Sequence, residues 1–394
     1  MGSKEIILKN LDRVYVLSNN IDYIDNATIV IRNGKIKEIV KGGMGSINPS
    51  AEVIDSRGLI AMPGLVDGCT HMGLYPLEGE YGEHGIEKSD PFTPHLRVID
   101  AVDPYDKAFS EALAHGITTV AIHPGSYMSF GMIVDAITIS PGLVAIMKTS
   151  GRILVEDHGV VFAIGDHVRR YMEQNKMVPT TRMGMLSIIR ANFEASKDYI
   201  KKRESGEKIP TDLKMEVLAE LLKNKLVAYV HAFTARDIIN LVNLLKSYGI
   251  NRIVVVHGFE AYKIADFLVN SKIPVILGPI LFSRRGVELR ELSPRSPKIL
   301  SEKGVLFSLT TDHPTIPIEY LTFLSGLAVS EGLDDIEALK AITINTAKIL
   351  GLDSYIGSIE PSKDADIAVF DSEPLDPKSR VVHTLIDGKL VYSR

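Results

Sequence analysis

The sequence predicts an α/β protein: a (β/α)8 (TIM) barrel over residues 62–350, joined to a small β-sandwich composed of residues 1–61 and 351–394. The first observation behind this fold class is the alternation, after Pro63, of short apolar runs with longer helical segments. The second is that polar or small residues end each apolar run, as is typical of barrel strands that carry a site. The third is that both ends of the chain are rich in short β-type runs and tight turns.

The terminal strands are predicted from residue type and turn signals. In the first 60 residues, apolar and β-branched residues are concentrated in runs at 6–8, 13–17, 27–31 and 35–40. The Asn33-Gly34 pair between the last two runs is a strong hairpin signal, because both residue types accept positive φ. The tail has β-type runs at 366–370 and 384–392, the second interrupted by Asp387-Gly388. The two termini are therefore expected to pair beside the barrel.

The barrel itself is predicted from the number of repeated units. The opening strand after Pro63 is followed by strand-like runs at 118–123, 143–148, 160–166, 227–231, 252–257, 274–278 and 305–312. Helical segments are predicted at 105–115, 182–204, 213–224 and 336–350. Eight strands, each followed by a helix or a long loop, favour a parallel barrel whose sites lie at the carboxyl ends of the strands.

Composition argues against several classes of function. The 394 residues are 45% hydrophobic and 24% charged, with a net charge of −5, which gives no support to a nucleic-acid partner. The single cysteine excludes an intramolecular disulfide and fits a reducing compartment. No apolar run approaches the ~18 residues of a membrane helix, and the start of the chain lacks a signal-peptide core. We expect a soluble cytoplasmic protein. Barrels of this type commonly form homo-oligomers, and a small-molecule substrate is implied by the motifs of this chain and not by its composition.

Polar side chains with metal-binding capacity end several predicted barrel strands: His71, Asp166, His231, His257 and Asp312. Because the carboxyl ends of parallel barrel strands meet at one mouth, we expect these groups to face the same point. Imidazole nitrogen together with carboxylate oxygen suits zinc or a similar divalent ion. The prediction is a site for one or two divalent ions, most simply zinc; the alternative is a set of hydrogen-bonded structural residues.

The opening strand adds two further groups to this set. Alternate residues of a strand point to the same side, so Asp67, Cys69 and His71 can converge. Asp67 is expected to support the strand end from behind, and His71 to be a ligand. A cysteine thiolate binds zinc at about 2.3 Å, but free cysteine often behaves as a small buried apolar residue. The sequence leaves both roles open for Cys69.

Several motifs resemble the amidohydrolase superfamily. The stretch Met62-Pro-Gly-Leu-Val-Asp-Gly-Cys-Thr-His71 is similar to its Pro-Gly-hydrophobic-Asp-x-His-x-His signature. His231, His257 and Asp312 resemble its ligands after strands five, six and eight. Four shorter motifs resemble the imidazolonepropionase-related amidohydrolases: Pro91–Arg97, Thr181–Gly184, Glu260–Ala265 and Glu288–Leu292. The resemblance covers nearly the whole chain.

The resemblance implies metal-dependent hydrolysis of a carbon–nitrogen bond in a non-peptide amide, a cyclic amide or a dipeptide. It implies a divalent ion that lowers the pKa of its water to about 7, with Asp312 as the general base. The competing hypothesis is a non-catalytic homologue that acts as a binding or assembly protein. Departures from the family pattern at Cys69, Asp166 and Phe233 favour that alternative.

Each departure bears on a particular role. Cys69 stands where the family has its first histidine, and Asp166 stands where relatives have a longer glutamate. If two ions are bound, the group that bridges them would be either Asp166 or a carbamate on Lys148. The alternative role for Lys148 is a salt bridge. Phe233 stands where close relatives often have a second histidine, and it is expected to pack.

Other side chains are candidates for contact with the substrate. Arginines in loops or at helix starts could hold a substrate carboxylate bidentately, with surface solvation as the alternative: Arg97, Arg182 and Arg284. Residues that follow the first two strands are expected to line the pocket: Gly73, Tyr75 and Ser126. Some histidines in the barrel loops receive no assigned role: His84, His95 and His123.

Overall fold

The computed structural model of the protein describes residues 5–42, 49–75, 85–125, 127–129, 132–134, 138–284 and 286–394. Of the residues singled out in the sequence, His84 and Ser126 lie outside this range, and the prediction for Ser126 is not tested.

The amino-terminal part of the chain forms short strands, as predicted: β1 (Glu5–Tyr15), β2 (Tyr23–Arg32), β3 (Lys35–Lys41), β4 (Glu52–Asp55) and β5 (Ile60–Pro63). Strand β1 contains the run predicted at 6–8 and the first part of the run predicted at 13–17. It continues through the polar residues between these runs, with a β-bulge between Leu8 and Leu11. Asn33 and Gly34 have φ values of +52° and +80° and join β2 to β3, which confirms the hairpin.

The middle of the chain supplies the strands of the barrel and one small hairpin: β6 (Leu65–Thr70), β7 (Ile117–Ile122), β8 (Tyr127–Ser129), β9 (Met132–Val134), β10 (Leu143–Lys148), β11 (Ile153–Ala163), β12 (Val227–Ala232), β13 (Ile253–His257), β14 (Val275–Leu277) and β15 (Phe307–Leu309). Strands β8 and β9 pair with each other. In the described part of the chain the others form one eight-stranded sheet, ordered β6-β7-β10-β11-β12-β13-β14-β15. A hydrogen bond of 2.8 Å from His71 N to His313 O joins its two edges, so the barrel is nearly closed.

The prediction of uniform βα units is wrong at the third barrel strand. Strand β10 runs antiparallel to both β7 and β11, and a short turn at 149–152 leads directly into β11. All residues of β10 are buried, and a strand buried on both faces has the same apolar pattern in either direction. The reversal places Lys148 beside Thr119, near the amino-terminal end of β7 and away from the barrel mouth.

The carboxyl-terminal strands join those of the amino terminus: β16 (Ile367–Phe370), β17 (Val381–Ile386) and β18 (Lys389–Ser393). Among the described residues they form a single sheet ordered β18-β17-β16-β5-β1-β2-β3, with β4 also paired to β1. Pairing between the two termini is therefore confirmed. The two-layered sandwich and the domain limits at residues 62 and 350 stay predictions.

The helices are α1 (Lys107–Ala114), α2 (Asp166–Gln174), α3 (Arg182–Glu204), α4 (Leu213–Leu222), α5 (Ala235–Ser247), α6 (Ala265–Ser271), α7 (Ser296–Glu302), α8 (Leu321–Ser330), α9 (Asp335–Ala341) and α10 (Ile344–Ile349), with 3-10 turns at Val98–Asp100, Ala261–Ile264 and Ile318–Tyr320. Helix α3 has the predicted bounds, and the Thr181 side chain caps it by accepting a bond from Gly184 N. The helix predicted at 336–350 is divided into α9 and α10, because Thr343 leaves the helical conformation. Within the described ranges, no helix is long and apolar enough to cross a membrane.

Candidate active site

Polar side chains converge where β6, β12, β13 and β15 end. His71 directly follows β6, and His231 is the second-last residue of β12. His257 is the last residue of β13, and Asp312 lies just beyond the end of β15. All four are buried, with Asp312 the most accessible at 4% exposed. The structure thus brings together the histidines and the strand-eight carboxylate that the sequence places at strand ends.

Contacts between these side chains are close. His71 Nε2 lies 3.3 Å from Asp312 Oδ1, and the Cys69 sulfur lies 3.7 Å from the same oxygen. His231 Nδ1 lies 3.3 Å from His257 Nε2. Sulfur, nitrogen and oxygen atoms of Cys69, His71 and Asp312 all lie within 4.8 Å of one another.

Backbone carbonyls fix the protonation of two of these rings. His71 Nδ1 lies 2.7 Å from His123 O, and His257 Nδ1 lies 2.9 Å from Gly278 O. Because a carbonyl can only accept, each Nδ1 carries the hydrogen and each Nε2 of a neutral ring presents a lone pair. Metal-binding histidines are commonly held in this way, with one ring nitrogen donating to a carbonyl and the other facing the ion.

The atoms that face each other at His71 and Asp312 are both acceptors when the imidazole is neutral. His71 Nε2 is buried and has no hydrogen-bond partner among the described residues. A proton would satisfy the pair alone, but the Cys69 sulfur converges on the same point. Nitrogen, oxygen and sulfur ligands are those that zinc prefers, so the residues present fit a divalent ion of this type.

The backbone at two of these positions adopts the left-handed region. His257 has φ +67° and Asp312 has φ +53°. Such conformations cost free energy in residues other than glycine and tend to occur at functional sites. Around Asp312 the cost is offset by local bonds: Asp312 N donates to Thr310 Oγ1 at 3.1 Å, and Thr315 Oγ1 donates to Asp312 Oδ2 at 2.9 Å.

Asp67 supports the end of β6 from behind, as predicted. One carboxylate oxygen accepts bonds from Thr310 Oγ1 at 2.5 Å and Cys69 N at 3.2 Å. The other accepts from Thr311 N at 3.0 Å and Thr311 Oγ1 at 2.6 Å. Burial raises the pKa of Asp67 to about 6 in spite of these bonds. The carboxyl group ties the first barrel strand to the segment that carries Asp312.

His123 is the residue of this cluster to which the sequence assigned no role. It directly follows β7, and its Nδ1 lies 3.0 Å from His231 Nε2. Burial, with His231 and His71 nearby, holds the pKa of His123 well below its ordinary value. The signal was present in the sequence, because His123 ends a predicted strand in the same way as His231 and His257 do.

Asp166 and Arg182 form a separate network. Arg182 Nε and Nη2 bind both oxygens of Asp237 at 2.7 and 2.9 Å, and Nη1 binds Asp166 at 2.9 Å. Burial alone would raise the pKa of Asp166, but hydrogen bonds from Arg182 and Arg169 outweigh it and lower the pKa. Asp166 is in neither of the ligand groups found among the described residues, and carboxylates of this chain already occupy the Arg182 guanidinium.

Lys148 lies at the other end of the barrel, so its bridging role is wrong. Its ammonium group is buried and binds Asp364 at 2.8 Å, Asp366 at 3.0 Å and Asp387 at 2.6 Å. Burial would lower the pKa of Lys148, but these carboxylates outweigh it and raise the pKa. A carbamate needs a neutral amine, which this setting disfavours; the alternative role, a salt bridge, is confirmed.

The other two arginines differ in their surroundings. Arg97 binds Asp157 at 2.8 Å and Glu156 at 2.5 Å. Arg284 is exposed beyond β14, and it makes no ion pair with the described residues. Of these two arginines, Arg284 is therefore the better candidate for binding a substrate carboxylate.

The remaining predicted pocket residues lie beside the cluster. Tyr75 stands edge-on to the His71 ring, with centroids 6.2 Å apart. Gly73 has φ +74°, and its N donates to Asp106 Oδ2 at 3.0 Å, which ties this turn to the start of α1. Phe233 stacks on Phe259 at a centroid distance of 5.0 Å, which confirms that it packs.

Comparison with known proteins finds relatives named as amidohydrolases and imidazolonepropionases. An amidohydrolase from Thermotoga maritima MSB8 has a solved structure that is 36% identical, with a TM-score of 0.91 over 99% of this chain and 100% of that one. The imidazolonepropionase of Thermoanaerobacter pseudethanolicus is 25% identical over 94% of this chain and 92% of its own length. Amidohydrolase tasK of Hapsidospora irregularis is 24% identical over 91% of this chain, which spans 39% of that protein's length.

The family model described as Amidohydrolase family matches residues 60–391. This match includes the barrel, the candidate site and most of the carboxyl-terminal strands. The relatives' names are those of enzymes acting on carbon–nitrogen bonds. The chain belongs to the Amidohydrolase family, a family of enzymes.

Proposed function

We propose that the protein is a metal-dependent hydrolase that cleaves a carbon–nitrogen bond in a small molecule. The observation that carries the proposal is the convergence of Cys69, His71 and Asp312, whose ligand atoms lie within 4.8 Å of one another in a buried setting. Membership of the Amidohydrolase family supports it, and the relatives' names do not favour the non-catalytic alternative.

Cys69, His71 and Asp312 are the residues that would hold a divalent ion, and zinc suits this set of donors. When bound, such an ion supplies a Lewis acid that polarises the scissile carbonyl and lowers the pKa of water to about 7. His71 is oriented for this task by its bond to the His123 carbonyl.

Asp312 would move the proton during hydrolysis. Its Oδ2 is held by the Thr315 hydroxyl at 2.9 Å, so the carboxylate keeps one orientation at the barrel mouth. A carboxylate fixed in this way can take a proton from the attacking water and deliver it to the leaving nitrogen. Phe233 packs beside His257 and offers no group for proton transfer.

The substrate is proposed to be an amide, a cyclic amide or a dipeptide. The relative named imidazolonepropionase matches nearly its full length, which makes a cyclic imidazolone the first compound to test. Arg284 is the candidate for holding a carboxylate on the substrate, because the fork of Arg182 is already bound to Asp237.

The experiment combines metal content with turnover. Protein purified without chelator is analysed for transition metals and then assayed, with zinc, on an imidazolone, on N-acyl amino acids and on dipeptides ending in proline. The Asp312→Asn variant should lose about 10²–10⁴-fold in turnover of whichever compound is cleaved, the usual contribution of a general base. Asp198→Asn, an exposed position in α3, is the matched control and should keep the activity.

Either of two outcomes would overturn the proposal. The first is protein that holds no transition metal and takes up none when zinc is added. The second is an Asp312→Asn variant that turns over substrate as fast as the unmodified chain.

A further inference from the structure

A second group of potential ligand atoms shares Cys69 with the first. The Cys69 sulfur, a ring nitrogen of His123 and a ring nitrogen of His231 lie within 4.8 Å of one another. All three side chains are fully buried. Cys69 also belongs to the group with His71 and Asp312, so its sulfur faces both groups.

His123 is held in one orientation by contacts with the first barrel strand. Its backbone N donates to Thr70 O at 2.8 Å, and its backbone O accepts from His71 Nδ1 at 2.7 Å. Its ring Nε2 lies 3.1 Å from Gly68 O. Because that carbonyl can only accept, Nε2 carries the hydrogen, and Nδ1 presents its lone pair towards His231.

His231 therefore faces lone pairs on both sides. Its Nε2 lies 3.0 Å from His123 Nδ1, and its Nδ1 lies 3.3 Å from His257 Nε2. A neutral imidazole has one N–H and can donate to one of these neighbours but not to both. A doubly protonated ring would carry a positive charge in a fully buried position, and removing such a charge from water is costly.

A cation resolves this conflict. When His231 Nδ1 donates to His257, the lone pairs of His231 Nε2 and His123 Nδ1 meet at 3.0 Å without a hydrogen between them. A ring nitrogen of each histidine lies within 4.8 Å of the Cys69 sulfur. Two imidazole nitrogens and one thiolate form a zinc ligand set, and three protein ligands are what a zinc site with an open position requires.

We propose that Cys69, His123 and His231 bind a second divalent ion of the zinc type, and that the Cys69 thiolate bridges it to the ion of His71 and Asp312. Binding releases the thiol proton to solvent and forms the metal–sulfur bonds. The inference rests on the proposed function for its first ion and deepens it. His123, from the second barrel strand, supplies the imidazole that the first strand lacks at Cys69.

Cobalt(II) titration of the metal-free full-length protein tests this inference without a substrate. Thiolate bound to cobalt gives a charge-transfer absorption band, so one titration reports both the number of ions and the presence of sulfur. We expect two equivalents with the sulfur band in the unmodified protein. His123→Ala and His71→Ala should each bind one equivalent and keep the band, whereas Cys69→Ser should lose it.

The matched control is His158→Gln. His158 is a buried histidine outside both groups, with its nitrogens bonded to Leu350 O at 3.0 Å and to the Tyr229 hydroxyl at 2.8 Å. This variant should still bind two equivalents, which separates a loss of ligand from a general disturbance of the barrel.

The possible failures are distinguishable. A single equivalent in the unmodified protein that survives in His123→Ala overturns the second site and leaves the proposed function intact. No bound equivalent in the unmodified protein overturns both. If His123→Ala does not fold, the unmodified protein still decides, because a single equivalent, or two without the sulfur band, contradicts a shared thiolate.

Discussion

The barrel carries a buried polar cluster at each end, and the two differ in how their groups are partnered. The base cluster consists of Lys148, Asp364, Asp366 and Asp387. The mouth cluster consists of Cys69, His71, His123, His231, His257 and Asp312. In the base cluster a cation meets carboxylates at 2.6 to 3.0 Å. In the mouth cluster His71 Nε2 lies 3.3 Å from the Asp312 carboxylate, and two accepting lone pairs meet there unless a proton or a metal ion lies between them.

This difference separates a structural cluster from the cluster that we propose binds a metal ion. The base cluster supplies its own cation and joins β10 of the barrel to the carboxyl-terminal segment. The mouth cluster has strained backbone at His257 and Asp312 and an unpartnered His71 Nε2 among the described residues. Buried acceptors without donors cost free energy, so under the proposed function a bound metal ion would stabilise the mouth cluster.

The largest expected effect is on the base cluster. Lys148→Met would leave the buried Asp366 carboxylate without its cation, whereas Asp364 and Asp387 would keep their contacts with Arg152. Removing one partner of a buried ion pair costs about 3–5 kcal/mol. Urea unfolding should therefore show a large loss in the free energy of unfolding. Metal content of the folded fraction should not change, because Lys148 lies far from the mouth.

Arg152→Met is the matched control for this change. Arg152 binds Asp387 at 2.8 Å, but its side chain is half exposed. An exposed pair contributes about 0–1 kcal/mol, so this variant should be nearly as stable as the unmodified protein. A Lys148→Met variant of equal stability would show that the base cluster does not join the two sheets.

The next effect concerns His158, a buried histidine whose two nitrogens are both bonded. Burial lowers the pKa of His158 to about 4, whereas an unfolded histidine has a pKa of about 6.5. A lowered pKa means that His158 contributes its stability above about pH 6.5 and loses it as the pH falls through about 4. The loss over this interval should be about 3 kcal/mol, since one pKa unit is worth about 1.4 kcal/mol.

The measurement is the free energy of unfolding of metal-free protein as a function of pH, compared with His158→Gln. The difference between the two chains should shrink as the pH falls from about 6.5 to about 4, because glutamine does not titrate. A difference that stays constant with pH would mean that folding does not change the pKa of His158.

The sequence predicted those parts of both clusters that depend on strand periodicity. His71, His231, His257 and Asp312 end apolar runs, and the period of two residues in a strand fixes which side they face. The Asn33-Gly34 hairpin and the pairing of the two termini also followed from local signals.

The parts that failed depend on the direction of strands and on distant partners. Because β10 is buried on both faces, its pattern does not specify direction, and Lys148 was placed at the wrong end of the barrel. Asp166 and Arg182 bind each other because α2 and α3 bring them together across 16 residues, which no local pattern records. His123 had the strand-end signal but no motif to distinguish it from a structural histidine.

Zinc should stabilise the protein through the mouth cluster alone. A ligand at 100 times its dissociation constant stabilises the folded state by about 2.7 kcal/mol. Thermal unfolding in zinc buffers should show this gain in the unmodified protein and in His158→Gln. His71→Ala should show a smaller gain in stability, because this variant lacks one of the proposed metal ligands. An equal gain in His71→Ala would place the stabilising ion outside the group formed by Cys69, His71 and Asp312.

The smallest effects are expected at Arg97 and Arg284, which also differ in whether they have ion-pair partners. Arg97 is partnered by Glu156 and Asp157 and its side chain is 34% exposed, so Arg97→Ala should cost under about 1 kcal/mol and leave KM unchanged. Arg284 has no ion pair among the described residues, so Arg284→Ala should leave stability unchanged and raise KM for a substrate that bears a carboxylate. Urea unfolding and steady-state kinetics of the two variants distinguish these effects. The reverse result is a KM that is raised only by Arg97→Ala. It would mean that Arg97 releases Glu156 and Asp157 in order to bind the substrate. Whether a side chain has an ion-pair partner would then no longer distinguish structural from functional groups in this protein.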